Sequence, residues 1–269
     1  MSAVVAGLFI YPVKSAAGIA VDSATLALYG LRHDREWMIV DAAGRGITQR
    51  DESRLALLTT QITATQLLLV APHGAAPPLE LAHEGGRVEV QIWGAHCAAF
   101  DAGDEVAQFL SDWLGKACRL VRFDPAGSRL SNADWTAGRD VTTLFTDGFP
   151  MLVLSRASIE DLAARVGFAL PVQRFRPNVL LDGVAAYAED AATELAIGDA
   201  RLRMTKACIR CVITTIDPLT GERRGEEPLK TLKAYRFDKA LRGVAFGRNA
   251  YAIEGVGSTL RRGAPALMR

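Results

Sequence analysis

Apolar residues along most of this chain occur in short runs of strand length, separated by turn-forming residues. In the first part of the chain these runs predict strands over residues 4–11, 24–28, 36–41, 47–49, 60–70, 79–81, 88–92 and 120–123. In the remainder they predict strands over 151–154, 178–181, 195–197, 201–205, 212–216 and 250–254. Glycine-containing loops inside 36–49 and 79–92 indicate hairpins, and Gly198 with Asp199 forms a tight turn between two later strands.

Helical periodicity is confined to a few segments. A helix is predicted over about residues 102–114, with Asp101 as its N-cap and a glycine directly after its last turn. A second helix begins at the Ser155 cap and ends at Gly167, and a short third one opens at 226–228. Many short strands with two or three helices between them predict a strand-rich α+β fold with barrel-like sheets, rather than a doubly wound α/β fold.

Residues 124–138 lose all periodicity, and this irregular stretch is the expected boundary between two domains. We place the division at Phe123, which gives domains of residues 1–123 and 124–269. The full chain of 269 residues is long enough for two domains of ordinary size, each with a buried core.

Composition and charge exclude several classes of function. The chain has 31 Lys plus Arg against 30 Asp plus Glu, so no basic excess exists to hold nucleic acid or an anionic membrane by bulk electrostatics. The sequence shows no secretion signal and no apolar run long enough for a spanning helix. Four cysteines are too few for a disulfide scaffold. We therefore expect a protein of a reducing, cytoplasmic setting, without a nucleic-acid or membrane partner.

Two of the cysteines, Cys208 and Cys211, have C-x-x-C spacing, and the β-branched run 212–216 directly follows. This pattern predicts that Cys211 lies at the start of a strand. A zinc site needs further ligands nearby, and all four histidines lie in the first hundred residues. A thioredoxin-type dithiol requires a helix after the motif, where a strand is predicted. Two readings stay open: half-buried cysteines in a sheet, or one thiolate on a metal whose other ligands belong to a cofactor.

Basic residues in three loops are a second clue to function. Lys14 with Ser15, Arg35, and Arg174 with Arg176 all lie beside predicted strand ends. Arginine presents a planar donor fork that suits phosphate, and lysine provides a compact charge. Together these residues would suit a pocket for one phosphorylated ligand, although each alone is typical of a solvated surface. The glycine-rich nucleotide motifs and the G-x-S-x-G nucleophile motif are absent.

Several longer motifs resemble one known family. The segments YPVKSAAG at 11–18 and GLRHDREW at 30–37 resemble the N-terminal β-barrel domain that accompanies MOSC domains. The segments RFRPN at 174–178, CIRCVITTIDPLTG at 208–221 and EPLKTLKAYR at 227–236 resemble the MOSC domain itself. The resemblance covers nearly the whole chain in the expected order, and it implies a β-barrel MOSC domain packed against a smaller N-terminal β-barrel-like domain.

The resemblance also implies a function and a set of site residues. The mitochondrial amidoxime reducing component and the bacterial hydroxylaminopurine-resistance proteins, which this chain resembles, hold a molybdenum cofactor. They reduce N-hydroxylated compounds such as hydroxylaminopurines, amidoximes and hydroxylamines. By residue matching, Cys211 would be the catalytic thiolate ligand of molybdenum, and Cys208 a neighbour only. The implied residues that bind the molybdopterin cofactor are Lys14, Ser15, Arg35, Arg176, Asn178, Ile209 and Arg210, with looser matches at Asp147, Gly148, Phe149 and Asn249.

The electron source and the competing functions follow from the same resemblance. Many bacterial relatives carry a C-terminal iron–sulfur domain, whereas this sequence ends at Arg269. We therefore expect a separate electron-donor protein of ferredoxin, flavoprotein or cytochrome type, and no membrane-targeting segment of the mitochondrial kind. The alternative function is a carrier or binding module for the molybdenum cofactor or for sulfur, without reductase turnover. A zinc or dithiol protein is the third hypothesis. The resemblance also carries family-level associations with pyridoxal phosphate binding and with detoxification.

Overall fold

A computed structural model describes all residues from Met1 to Arg269 and contains twenty β-strands. In chain order these are β1 (Ser2–Ile10), β2 (Ile19–Val21), β3 (Ser23–Ala27), β4 (Gly30–Leu31), β5 (Trp37–Asp41), β6 (Thr59–Ile62), β7 (Gln66–Ala71), β8 (Gly74–Ala75), β9 (Leu79–Glu80), β10 (Arg87–Ile92), β11 (Ala95–Asp101), β12 (Cys118–Phe123), β13 (Met151–Ser155), β14 (Val179–Asp182), β15 (Glu194–Ile197), β16 (Ala200–Arg210), β17 (Phe237–Asp238), β18 (Gly243–Glu254), β19 (Thr259–Arg261) and β20 (Pro265–Met268).

The α-helices are α1 (Asp104–Leu114), α2 (Arg156–Val166), α3 (Ala188–Ala191) and α4 (Leu229–Tyr235). Short 3₁₀ helices cover Ser53–Leu57, Ala133–Trp135, Val172–Arg174 and Val212–Thr215. The boundaries of α2 are as predicted, because the Ser155 side chain accepts from Ser158 N–H and Gly167 takes the left-handed conformation after the last turn. Helix α1 starts after Gly103 instead, because the Asp101 carboxylate accepts from the Gly103 N–H and does not cap the helix.

Seven strands form a closed barrel in the order β13, β14, β1, β20, β15, β16 and β18. Strand β18 returns to β13 and closes the ring through an antiparallel pairing that includes Leu152 opposite Asn249. The neighbours β13 and β14 are parallel, whereas β14 and β1 are antiparallel. The predicted strand-rich α+β class with a barrel is therefore confirmed. None of the helices combines the length and the apolar character that crossing a bilayer would require.

The barrel and the N-terminal sheets have separate hydrophobic cores. Twenty buried residues, including Val5, Leu195 and Leu202, form a cluster in the barrel strands. A second cluster of 18 buried residues, including Trp37 and Leu110, lies where α1 covers the sheet β10–β11–β12–β5. Strand β1 pairs with β14 and β20, so the beginning of the chain completes the sheet formed by its second half. The domain division at Phe123 stays a prediction.

Several predicted strands differ from the observed ones because pairing partners are chosen in three dimensions. The run 60–70 is two strands, β6 and β7, because the Thr63 hydroxyl accepts from the Gln66 N–H and forms a turn between them. The predicted 79–92 hairpin is wrong, since β9 pairs with β7 and β10 pairs with β11. Residues 47–49 form no strand, although the Ile47 N–H donates to the Ile39 carbonyl. The structure also contains seven strands that the pattern did not predict, namely β2, β4, β8, β11, β17, β19 and β20.

The predicted strand over 212–216 is wrong, and its correction changes the position of Cys211. Strand β16 ends at Arg210, Cys211 follows it, and a 3₁₀ helix covers Val212–Thr215. The hydroxyl and N–H of Thr214 both donate to the Cys211 carbonyl, at 3.0 and 3.1 Å. These local hydrogen bonds override the β propensity of the branched side chains. The C-x-x-C motif therefore lies at a strand-to-helix junction, and the argument that excluded a dithiol by a following strand does not hold.

Candidate active site

A single cleft contains all the site residues that the sequence predicted. It is lined by loops after β1 and β4, by the segment before β13, and by residues at the ends of β14 and β16. The predicted residues in its lining are Lys14, Ser15, Arg35, Asp147, Gly148, Phe149, Arg176, Asn178, Ile209, Arg210, Cys211 and Asn249. Cys208 lies there as well. The residues come from distant parts of the chain, so the fold brings them together, while their individual roles stay predictions.

The two cysteines in this cleft are free, half-buried and each in contact with a guanidinium group. Arg50 Nη2 lies 3.0 Å from Cys211 Sγ, and Arg210 Nη1 lies 3.0 Å from Cys208 Sγ. A positive charge beside sulfur is complementary to a thiolate, which is the form that binds metals. No group of three or more His, Cys, Asp or Glu side chains converges to hold a metal. A metal at Cys211 would therefore need ligands supplied from outside the protein.

A hydrogen-bond network fixes Arg35 in the wall of the cleft. Its Nη1 donates to the fully buried Asp34 and, at 3.2 Å, to Asn178 Oδ1. Its Nη2 donates to the Arg176 carbonyl, also at 3.2 Å. Asn178 in turn donates to the Phe9 carbonyl on β1. This network links the end of β1 to the start of β14, and both charged and amide groups are held in place before any ligand binds.

The guanidinium groups of Arg35 and Arg176 lie on the ring of Tyr11, 4.1 and 4.2 Å from its centroid. Burial raises the pKa of Tyr11 to about 12, so the phenol stays neutral and donates to the Pro177 carbonyl. Burial and the neighbouring Arg35 charge lower the pKa of Arg176 to about 10. Arg35 is paired with the Asp34 carboxylate, whereas Arg176 has no carboxylate partner and its Nη2 is buried without a hydrogen-bond partner.

Lys14 and Asp147 form an ion pair in the lining of the cleft. Lys14 Nζ donates to the Phe145 carbonyl at 2.8 Å and to Asp147 Oδ1 at 2.5 Å. Burial lowers the pKa of Lys14, and its contact with Asp147 only partly offsets this. Desolvation in the cleft raises the pKa of Asp147, but the charges of Lys14 and Arg50 more than reverse this and leave it below its usual value. The carboxylate is therefore ionised at neutral pH.

Sequence reasoning did not identify two residues that belong to this arrangement, Arg50 and Trp93. Trp93 Nε1 donates to Asp147 at 3.1 Å, and its ring stacks on the Arg50 guanidinium at 4.5 Å. The Trp93 side chain is about half exposed at the turn between β10 and β11. An exposed tryptophan beside a glycine in a hairpin turn was a usable indication for Trp93. Nothing in the local sequence distinguishes Arg50 from a solvated surface arginine.

Three of the cleft residues have a left-handed backbone that side chains with a Cβ rarely adopt. The φ angles are 66° at Ser15, 49° at Arg35 and 56° at Arg176. Such a conformation costs on the order of 1–3 kcal/mol for a residue other than glycine, and it persists only where the surrounding structure enforces it. Strain of this kind concentrates at ligand-binding sites. Five further non-glycine residues with positive φ lie outside the cleft lining, so this conformation is not confined to the cleft.

The charge and donor set of the cleft define what it can bind. Five cationic side chains, Lys14, Arg35, Arg50, Arg176 and Arg210, face one carboxylate, Asp147. Arg210 Nε and Arg176 Nη2 are buried without partners. This excess of directed N–H donors suits a phosphate-bearing anion, while the half-buried Cys211 thiol suits a soft metal. The cleft therefore combines N–H donors that suit an anionic group with a thiol that suits a soft metal.

Comparison with known proteins agrees with this geometry. The family model described as the MOSC N-terminal beta barrel domain matches residues 2–117, and the one described as the MOSC domain matches residues 140–264. The mitochondrial amidoxime-reducing component 1 of Mus musculus is 36% identical over 98% of this chain and 82% of its own length. The chain belongs to the MOSC family. The mitochondrial amidoxime-reducing component 1 of Homo sapiens is 36% identical over 86% of this chain and 72% of its own length. Component 2 of Bos taurus is 35% identical, and the match again covers 86% of this chain and 72% of the relative.

Both matched MOSC regions contribute to the cleft. Lys14, Ser15, Arg35 and Arg50 belong to the N-terminal match, and the residues from Asp147 onward belong to the MOSC match. The cation that contacts Cys211 Sγ thus comes from the other matched region of the chain. A site of this composition is complete only when the two regions are together.

Proposed function

We propose that this protein is a molybdenum-cofactor-dependent oxidoreductase that reduces N-hydroxylated compounds, including hydroxylaminopurines, amidoximes and hydroxylamines. The observation that supports this most directly is the half-buried Cys211 thiol in a cleft with five cations and one carboxylate. The names of the relatives, which are amidoxime-reducing components, support the substrate class.

The residues of the cleft fit a molybdenum-bearing pterin phosphate. Lys14, Ser15, Arg35, Arg176 and Asn178 would hold the anionic part, because they provide fixed N–H and O–H donors, and Arg176 Nη2 is buried without a partner. In the same proposal Cys211 is the one protein ligand of the metal, and the main chain of residues 209–210 contacts the cofactor. Asp147, Gly148, Phe149 and Asn249, whose motif matches are looser, would also contact it. When bound, the cofactor supplies the two-electron chemistry that cleaves the N–O bond.

The protein's own contribution is to hold charges and to orient groups. Arg50 places a guanidinium N–H on Cys211 Sγ, and Trp93 holds that guanidinium by stacking. Asp147 is ionised at neutral pH, and it accepts hydrogen bonds from Lys14 Nζ and Trp93 Nε1. Its role in this proposal is to fix Lys14 Nζ at the edge of the cleft.

We further propose that electrons come from a separate ferredoxin, flavoprotein or cytochrome-type protein, and that the protein works in the cytoplasm. The four cysteines are all free in the structure, which supports a reducing compartment. Cys211 is half-buried rather than enclosed, so a donor is able to approach this side of the cleft.

The test is to express the chain in a host that makes the cofactor and to measure metal content and turnover together. We expect about one molybdenum per chain and reduction of 6-hydroxylaminopurine and benzamidoxime with an artificial reduced viologen as donor. Bound molybdenum without turnover of either compound would favour the carrier module instead. Zinc in place of molybdenum would contradict the cofactor assignment.

A further inference from the structure

A second cavity, with a volume of about 650 Å³, adjoins the candidate active-site cleft. It lies between the 3₁₀ helix Ser53–Leu57 with β7 on one side and the 3₁₀ helices Val172–Arg174 and Val212–Thr215 on the other. Ile213 and Arg176 line both this cavity and the cleft. A molecule in the cavity would therefore lie directly beside the residues that surround Cys211.

The cavity wall is largely apolar, with Leu57, Val70, Pro171, Ile216 and Leu219 among its members. Leu219 is 83% exposed and Val70 is 46% exposed, so apolar surface faces the opening without a protein partner. Cavities of about 300–1,000 Å³ with apolar walls and a few directed polar groups are typical sites for small organic molecules. The shape and size suit such a ligand.

The polar side chains of this cavity are neutral or cationic. Gln49, Thr59, Gln173, Arg174 and Arg176 line it, and no Asp or Glu does. The Arg174 side chain is 9% exposed and donates to the Thr214 and Ile216 carbonyls, while its Nε is buried without a partner. Arg174 Nη2 is paired with the Asp217 carboxylate at 3.1 Å, so Arg176 is the cation of the lining that has no carboxylate partner and would repel a cationic ligand. A neutral, planar molecule with acceptor atoms suits the lining best.

We propose that this cavity binds the apolar body of neutral aromatic or heteroaromatic N-hydroxylated substrates, while their N–O group lies in the adjoining cleft. This inference rests on the proposed function. Two electrons from the donor protein and two protons convert an amidoxime into an amidine and water. The amidine then takes up a further proton at neutral pH and becomes a cation. The cavity therefore discriminates by charge between a neutral substrate and its cationic product.

Val70→Trp tests the proposal by filling the cavity from an exposed strand position. The matched control is Val256→Trp, since Val256 is 49% exposed and lies outside the cavity lining.

Two substrates share the amidoxime group and differ in body size, namely 2-naphthamidoxime and acetamidoxime. For Val70→Trp we expect kcat/KM to fall about tenfold with the naphthyl compound and to change less than twofold with acetamidoxime. Equal effects of Val70→Trp on both substrates would overturn the proposal, and Leu57→Trp provides a second variant if Val70→Trp folds poorly.

Binding to the metal-free full-length chain gives a readout that needs no turnover. We expect calorimetry to show 2-naphthamidoxime binding about tenfold more weakly to Val70→Trp than to the natural chain or Val256→Trp. The product 2-naphthamidine should bind the natural chain at least about tenfold more weakly than the amidoxime. Unchanged binding in Val70→Trp, or equal binding of the amidine, would contradict the cavity assignment. If the loaded protein reduces neither amidoxime, the proposed function fails, and the binding measurement judges the cavity independently.

Discussion

The two pairs of cysteines in this protein lie in opposite chemical environments. Cys97 on β11 and Cys118 on β12 are buried in the N-terminal sheet, and burial raises the pKa of both thiols. Cys208 and Cys211 are half-buried, and each receives a guanidinium N–H at 3.0 Å. Cys97 and Cys118 each belong to a hydrophobic cluster, whereas Cys208 and Cys211 line a cleft of positive charge.

The contrast shows that the surroundings of a cysteine, more than its sequence motif, decide what it can do. A thiol enclosed in a sheet behaves as a small hydrophobic side chain. A thiol at the end of a strand beside arginine is available as a ligand or nucleophile. Within the second pair the arginines differ in origin, since Arg210 is two residues from Cys208 and Arg50 is distant in sequence from Cys211. The contact with an arginine that is distant in sequence distinguishes Cys211 from Cys208.

The largest effect is expected when the proposed ligand itself is removed. Cys211→Ser should lose at least about a hundredfold in activity and nearly all bound molybdenum, because hydroxyl is a poor ligand for a soft metal site. Elemental analysis and a reductase assay measure both. Cys208→Ser and Cys97→Ala are the controls and should keep at least half of the metal. Full metal content in Cys211→Ser would break the distinction between the pairs.

A smaller effect is expected when the cation on Cys211 is removed. Arg50→Gln should lower kcat/KM about tenfold, because a charge-assisted hydrogen bond contributes roughly 1.5–3 kcal/mol and the substitution removes the charge. Arg45→Gln is the matched control, since Arg45 is 67% exposed and pairs only with Asp41. Steady-state kinetics of both variants measure the change in kcat/KM. If both lose the same activity, Arg50 has no special relation to Cys211.

The buried, unpartnered guanidinium nitrogens of Arg176 and Arg210 predict that an anion stabilises the metal-free protein. Pyrophosphate at about ten times its dissociation constant should add about 1.4 kcal/mol to the free energy of unfolding. For a chain of this size, that raises the Tm by roughly 3–5 °C. Arg176→Met should abolish the shift, and Arg156→Met, at an exposed pair with Asp182, should keep it. A pyrophosphate shift that survives Arg176→Met would place the anion elsewhere.

The smallest effect concerns the buried pair and is a dependence of stability on pH. The folded-state pKa of Cys97 and Cys118 is raised, so these thiols stay protonated after those of the unfolded chain ionise near about pH 8.5. The unfolded state then binds fewer protons, and stability falls as pH rises above that value. Urea unfolding at pH 7 and pH 9.5 measures the loss. In Cys97→Ala the decrease should be smaller, and an equal decrease would show that Cys97 makes no contribution.

Local features of the fold were predictable where a few adjacent residues decide the outcome. Ser155 and Gly167 delimit α2 because a cap and a left-handed glycine act over one turn. The tight turn at Gly198 and Asp199 joins β15 and β16 for the same reason. By contrast, the β-branched run after Cys211 became a 3₁₀ helix, because Thr214 bonds locally and Arg174 donates to the carbonyls of Thr214 and Ile216.

The residues of the candidate site also fall into those that the sequence predicted and those that it did not. Motif resemblance predicted twelve residues that line the cleft, although spacing alone did not show that Lys14, Arg35 and Arg176 converge. Arg50 and Trp93 were missed, because each depends on a neighbour far away in the chain, namely Cys211 and Asp147. The second cavity was also beyond prediction, because its walls come from segments that are adjacent only after folding.

The sequence by itself determined the strand-rich class, several caps and turns, the C-x-x-C motif, and the basic residues in loops distant from that motif. These depend on backbone preferences and on residue types over a few positions. Only the tertiary structure decided that Cys211 lies after β16, with a guanidinium from the N-terminal region on its sulfur. Charge, burial and hydrogen-bond partners are properties of positions in space. They exist only once the barrel has closed and brought both regions to one cleft.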